Sequence, residues 1–165
     1  MYKVFFITFG CKVNQYETEC LRSCFVEKGF VSAENESEAD VFVVNSCTVT
    51  GSGDSKSLYA VRRLRRSYPR AVIALTGCLP QAAPETAEKC PEADVVTGTK
   101  EREKLVGLVM NALESGECRT EIVPYGKSDS FEDIPCPVGF SESGRTRAFM
   151  KIQDGCNQFC SYCII

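Results

Sequence analysis

The sequence predicts a doubly wound α/β domain on a parallel sheet. Three observations predict it. Short strands are apolar throughout, not alternating, as strands buried on both faces are. Between them lie segments whose apolar residues recur at helical spacing, so strand and helix alternate along the chain. Glycine or proline punctuates the ends of these units, where an extended or helical run must stop.

Lys3 to Phe9 is a near-continuous apolar run ending at Gly10, read as the first strand. From Asn14 onward Tyr16, Cys20, Leu21, Cys24 and Phe25 repeat at helical spacing until Lys28-Gly29 closes the stretch. Phe30 to Ala33 reads as a short edge strand and Val41 to Asn45 as a second buried one. Leu58, Val61, Leu64 and Tyr68 mark a second helix, stopped by Pro69, because the residue before proline is pushed out of the helical region. Ala71 to Thr76 is the next strand, Pro84 to Lys89 a short helix, and Asp94 to Thr97 a further strand ending at Gly98. A long helix from about Glu101 carries Leu105, Leu108, Val109, Ala112 and Leu113 on one face and stops at Gly116. The α/β domain is therefore placed at 1–116. From Glu117 to Gly144 no period persists and Pro124, Pro135 and Pro137 interrupt the chain, so 117–144 reads as a linker. Thr146 to Ile152 alternates like the first strand of a second domain, 145–165, and the chain ends thirteen residues past Ile152, before a second core is built.

A chain of 165 residues with 44% hydrophobic content supports one core. Its net charge of −3 gives no diffuse reason for this segment to grip nucleic acid. No apolar stretch reaches the length of a membrane span or of a signal-peptide core, so a cytoplasmic protein with no membrane partner is expected. Eleven cysteines, an odd number without a secretion signal, point away from a disulfide scaffold and toward metal, cluster or redox chemistry. The chain has no histidine, which removes mixed Cys/His zinc sites and every His-based nucleophile arrangement. All-thiolate sites remain, and soft thiolates select iron–sulfur clusters, zinc or Cu(I).

Two cysteine sets carry this chemistry. Cys156-Asn-Gln-Phe-Cys160-Ser-Tyr-Cys163 has the spacing CxxxCxxC, which random placement of the chain's 11 cysteines yields about 0.05 times per chain. Three thiolates on one loop cap three irons of a [4Fe–4S] cube and leave the fourth open; the alternative is a zinc knuckle, which wants a fourth ligand that does not follow. Separately, Cys11, Cys47 and Cys78 each follow a predicted strand, in Phe9-Gly-Cys11, Asn45-Ser-Cys47 and Thr76-Gly-Cys78. In a parallel sheet all carboxyl ends lie on one edge, with neighbouring strands about 4.8 Å apart, and ligand sites gather there. The three are thus expected to converge on a shared site, the alternative being small core residues at strand ends.

The entry Phe149-Met-Lys-Ile-Gln-Asp-Gly-Cys156 followed by CxxxCxxC resembles the start of a radical S-adenosylmethionine domain. The stretches Gly10-Cys-Lys-Val-Asn-Gln-Tyr-Glu-Thr18, Val44-Asn-Ser-Cys-Thr-Val-Thr50 and Leu75-Thr-Gly-Cys-Leu-Pro-Gln81 resemble the N-terminal domain of the radical S-adenosylmethionine methylthiotransferases. The resemblance covers nearly the whole chain. It implies two [4Fe–4S] clusters, an auxiliary one on Cys11, Cys47 and Cys78 and a radical one on Cys156, Cys160 and Cys163 that chelates S-adenosylmethionine, with Tyr162 near the adenine. It implies sulfur insertion at an unactivated carbon, a second S-adenosylmethionine as methyl donor, an electron donor such as flavodoxin or ferredoxin, and a truncated radical barrel beginning at 145. The wording Cys11-Lys-Val-Asn-Gln-Tyr-Glu-Thr18 is most similar to enzymes that convert N6-threonylcarbamoyladenosine at tRNA position 37 to its 2-methylthio derivative. Relatives acting on isopentenyladenosine or on a ribosomal protein are the alternatives. With most of the barrel and the implied RNA-binding domain absent, this portion alone is expected to be inactive, with weak affinity for S-adenosylmethionine and tRNA.

Other features read as structural. Cys20 and Cys24 share the apolar stripe of the first helix; Cys90, Cys118 and Cys136 have no partner spacing. Asn14, Gln15 and Glu17 read as residues that cap and open the first helix, with contact to substrate or cluster as the alternative, and Gly51-Ser-Gly53-Asp54-Ser55-Lys56 reads as a turn with a helix cap, since it lacks P-loop spacing. Arg62, Arg63, Arg65 and Arg66 form the one basic cluster, read as a solvated helix face with RNA steering as the alternative. The rival from another class is an iron–sulfur electron carrier or redox sensor, which would close its cluster with a fourth cysteine.

Overall fold

The structure is a computed structural model that describes residues 1–49, 51–85, 90–126, 132, 134, 150–156, 158 and 160–163, with backbone only for Gly51 and Ser52. Its strands are β1 (Lys3–Thr8), β2 (Val31–Ser32), β3 (Val41–Ser46), β4 (Val72–Gly77), β5 (Val95–Thr97) and β6 (Arg119–Glu121). The helices are α1 (Lys12–Glu27), α2 (Gly51–Ser67), α3 (Cys78–Ala82) and α4 (Lys104–Ser115). All strand pairs are parallel, in the order β2-β1-β3-β4-β5-β6.

Side-chain alternation along the strands explains why their sequences are apolar without a break. Val41, Val43, Val72, Ala74 and Val95 pack on one face, under Leu21 and Phe25 of α1 and Leu105, Val106 and Val109 of α4. Phe42, Val44, Ile73, Leu75 and Val96 pack on the other, under Val61 and Leu64 of α2. Both faces are covered, so the domain is doubly wound as expected. Phe25 is fully buried and stacks edge-on against Phe6 and Phe30; Phe25→Ala is expected to lower the unfolding free energy by about 3–5 kcal/mol, read from a urea transition.

From β1 the chain goes to β2 on one side and to β3 on the other, and the crevice outside the carboxyl ends at such a reversal is where open α/β sheets bind ligands. Register aligns Thr8 with Asn45 and Asn45 with Thr76. One row of residues therefore crosses three strands, and Cys11, Cys47 and Cys78 lie two or three positions beyond it.

Several details differ from the sequence reading. The stretch read as a linker begins with β6, whose Arg119 N donates to Asp94 O at 2.8 Å and which pairs with β5 along its length. Arg-Thr-Glu has no apolar pattern to betray it, since Arg119 and Thr120 at this sheet edge are exposed. The helix α3 starts at Cys78 itself, with Pro80 tolerated in its first turn. Residues Gly51 to Lys56 are not a turn but the first turns of α2. The helix read over Pro84 to Lys89 lies mostly outside the described residues, as does the strand over Thr146 to Ile152, of which Met150–Ile152 are described and carry no strand. Among the described residues, no helix is long and apolar enough to cross a membrane.

Candidate functional site

The turns leaving β1 and β4 are shaped by glycine. Gly10 has φ +107°, and a Cβ built on it would stand 2.7 Å from Cys47 Cβ and 2.9 Å from Cys47 Sγ. Gly77 has φ +101°, and a Cβ there would meet the Asn45 side chain and the Ser46 carbonyl oxygen at 2.6 Å. Bare backbone is thus what lets the loop carrying Cys11 lie on Cys47 and lets β4 turn past β3 into Cys78. Gly10→Ala is expected to lose more than about 1 kcal/mol of stability from its backbone conformation alone. Separating the β1 and β3 ends, it is also expected to reduce iron uptake at this rim, read by iron analysis.

Asn14 is the polar centre of the rim. It is buried on α1; its Oδ1 accepts from Cys11 Sγ at 3.1 Å, and its Nδ2 donates to Ser46 O at 2.9 Å. Asn45 Nδ2 returns to Asn14 O at 3.0 Å and to Thr18 Oγ1 at 3.1 Å, and Thr18 meets Thr8 Oγ1 at 2.8 Å. Ser46 Oγ donates to Thr76 O at 2.6 Å and accepts from Leu79 N at 3.2 Å. One buried network therefore runs from β1 across β3 to β4 and fixes the cysteines against one another.

Cys11, Cys47 and Cys78 follow β1, β3 and β4 at the same edge of the sheet, and their surroundings differ. Cys11 is exposed and caps the N-terminus of α1, whose dipole favours an anionic occupant. Cys47 is buried. Cys78 is half-buried, and its thiol is pushed up to about 11, first by burial and then by the charges of Glu17, Cys47 and Cys11. Only the thiolate is nucleophilic, so a raised value delays reactivity to higher pH; at pH 8 roughly 0.1% of Cys78 is ionised. In the metal-free protein, iodoacetamide is expected to label Cys11 well before Cys78, whose rate keeps climbing beyond pH 10. Equal rates at pH 8 would contradict this.

Among the described residues, no three thiols or carboxylates are close enough to share a single metal ion. A [4Fe–4S] cube asks for something else, because each thiolate takes its own iron and the sulfurs stand apart. Three soft thiols, no histidine and a mouth open at Cys11 fit such a cube better than a four-ligand zinc site.

Beside the rim lies an ion network that sequence reading missed. Glu17, treated as a helix-opening residue, is 3% exposed. Its Oε1 accepts from Arg102 Nη2 at 2.7 Å and from Lys151 Nζ at 2.9 Å. Arg102 also donates to Glu132 Oε2 at 2.6 Å, and Lys151 to Asp154 Oδ2 at 2.7 Å. Glu101, at φ +54°, holds the left-handed backbone that precedes Arg102, a conformation uncommon outside glycine. The available signal was on α1, where Asn14, Glu17 and Thr18 share the stripe of Leu21 and Phe25 and are buried with them. Polar residues on a core stripe need partners.

The second cysteine set is presented differently. Cys156, Cys160 and Cys163 are all exposed, with a turn in which Cys163 N donates to Cys160 O at 3.0 Å, and Tyr162 is 91% exposed. Cys20 is buried in α1 and Cys24 packs against the core, as read; Cys90 is buried, Cys118 exposed, and Cys136 lies outside the described residues. The basic cluster is largely neutralised within the chain. Arg63 pairs with both oxygens of Glu36 at 2.7 Å, lowering the glutamate and raising the arginine, while Arg65 reaches Asp94 at 2.5 Å and Arg62 lies 3.7 Å from Glu92.

Comparison with known proteins bears on this rim. The profile described as "Uncharacterized protein family UPF0004" matches residues 3–98, a span that contains Cys11, Cys47 and Cys78. The chain is 42% identical over its whole length to the threonylcarbamoyladenosine tRNA methylthiotransferase MtaB of Bacillus subtilis, covering 36% of that protein. It is 34% identical over 99% of its length to the protein of the same name from Aquifex aeolicus, covering 39% of it. Over its whole length it is 30% identical to the tRNA-2-methylthio-N(6)-dimethylallyladenosine synthase of Pelotomaculum thermopropionicum, covering 37% of it. The chain thus spans little more than a third of these relatives.

Proposed function

The chain belongs to the family UPF0004, the N-terminal domain of the methylthiotransferases, and on that premise we propose that it is the sheet-domain portion of a tRNA methylthiotransferase. The substrate proposed is N6-threonylcarbamoyladenosine at position 37, and the product its 2-methylthio derivative. The observation that carries this reading is the rim itself. Three thiols stand at the ends of β1, β3 and β4, where Asn14 bonds the Cys11 thiol and the Ser46 carbonyl next to Cys47, and where Cys78 feels the charges of Cys47 and Cys11.

Cys11, Cys47 and Cys78 would hold one [4Fe–4S] cluster and leave one corner for a non-protein ligand, which an electron carrier with a fourth thiolate would lack. Cys156, Cys160 and Cys163 would hold the second, at the start of a radical barrel, with Tyr162 beside the adenine of S-adenosylmethionine. Bound at these two places, the clusters and S-adenosylmethionine supply one-electron cleavage and the sulfur and methyl group for insertion at an unactivated carbon. The residues of this chain orient and enclose. Asn14 holds the Cys11 thiol and ties α1 to the end of β3, Gly10 lets Cys47 approach, and the buried core excludes water from the inner side of the rim. The internal pairing of Arg62, Arg63 and Arg65 argues against this helix face as the RNA grip, so tRNA would be held mostly by other parts of the protein. Electrons would come from a flavodoxin- or ferredoxin-type donor.

The test is mass spectrometry of tRNA nucleosides from a strain lacking the gene. Loss of 2-methylthio-N6-threonylcarbamoyladenosine with accumulation of its unthiolated precursor is expected. Loss of the 2-methylthio dimethylallyl derivative instead would move the assignment to the substrate in the name of the 30% identical relative.

A further inference from the structure

We infer that Glu17 and Lys151 form an ionic strut fixing where the loop of Cys156, Cys160 and Cys163 stands relative to the three-thiol rim. Both are positioning residues for the reaction proposed above, and the inference rests on that reading. On the rim side, Glu17 belongs to α1, which Cys11 caps, and its charge is felt at the Cys78 thiol. On the loop side, Lys151 precedes Cys156 by five positions and turns back to Asp154 at 2.7 Å, while Gln153 Nε2 donates to Gly155 O at 2.7 Å. The lysine alone goes inward. Its side chain is 4% exposed, whereas Met150 and Ile152 on either side are 84% and 85% exposed.

Burial of the charged residue between two exposed apolar ones is the reverse of what holding the segment by the hydrophobic effect would give. An ammonium between two carboxylates, Glu17 and Asp154, is directional in a way that apolar contact is not. Arg102 and Glu132 continue the chain of alternating charges, so Glu17 is itself held from behind by a guanidinium that is 3% exposed. The rim and the loop are thereby referred to one rigid acceptor, Glu17 Oε1.

The experiment uses the full-length protein, reconstituted with iron and sulfide and reduced, with the separation of the two cluster spins measured by pulsed electron paramagnetic resonance. A single narrow distribution is expected for the natural sequence. Lys151→Met, which leaves the Glu17–Arg102 pair in place, is expected to broaden it at least twofold, as is Glu17→Gln, while Lys151→Arg restores it. Should Lys151→Met not fold, Lys151→Gln is read in its place. Amide hydrogen exchange over 150–156 in the same proteins needs no cluster and is expected to accelerate at least tenfold in Lys151→Met. If the natural protein loads no cluster at the rim, the functional reading fails, and the strut is then judged on hydrogen exchange alone. Unchanged exchange in Lys151→Met, or an unchanged spin distribution where both clusters load, overturns the strut.

Discussion

Replacing Cys47 by Ala in the full-length protein is expected to abolish sulfur insertion, by about a thousandfold or more, while S-adenosylmethionine cleavage continues at a comparable rate. Cys47 is the buried member of the rim, pressed against Gly10, and its loss would remove one of the three thiolates proposed to hold the cluster. Cys11→Ala and Cys78→Ala are expected to do the same. The loop of Cys156, Cys160 and Cys163 contains none of these residues, and Lys151 ahead of it bonds Glu17 beside the rim, so its own chemistry should survive. Assay of 5′-deoxyadenosine alongside methylthiolated nucleoside separates the two activities. Loss of both together would contradict the division of labour between the sites.

Arg102→Met is expected to lower the unfolding free energy by about 3 kcal/mol or more, because removing one partner of a buried ion pair strands the other. Here the affected groups are Glu17, which among the described residues keeps Lys151, and Glu132, which is 25% exposed and keeps the Arg102 backbone N–H at 2.8 Å, so most of the loss falls on Glu17. Against a total of about 5–15 kcal/mol for a typical domain, this is a large fraction. Arg102→Lys keeps the charge but loses the fork that reaches two carboxylates at once, and should recover part of the loss. The urea midpoint of each variant reads the effect; equal midpoints for Arg102→Met and the natural protein would remove the network from the stability of the fold.

The fold was legible where burial leaves a local signature. Val41–Ser46 and Val72–Gly77 are buried at every position, so Val41 to Val44 and Val72 to Leu75 read as apolar runs, and the stripe of α4 could be drawn from Leu105, Leu108, Val109 and Ala112. The three rim cysteines were legible as a set because topology alone brings the ends of parallel strands together. What escaped was decided at long range. Arg102 lies 85 positions from Glu17 and Lys151 lies 134, and no period in either segment records that separation. The strand β6 escaped because its polar residues take their order from pairing with β5 and leave no apolar pattern of their own. The role of Asn14 as the hub of the rim was hidden by its place in the first turn of α1, where asparagine ordinarily serves the helix end.

Cys11, Cys47 and Cys78 are proposed to hold one iron–sulfur cube together. The direct measurement is iron, sulfide and zinc content, with Mössbauer spectroscopy, of the full-length protein carrying Ala at Cys156, Cys160 and Cys163. About four irons per chain, a [4Fe–4S] spectrum and negligible zinc are expected. Zinc in place of iron, or no metal retained, would contradict it.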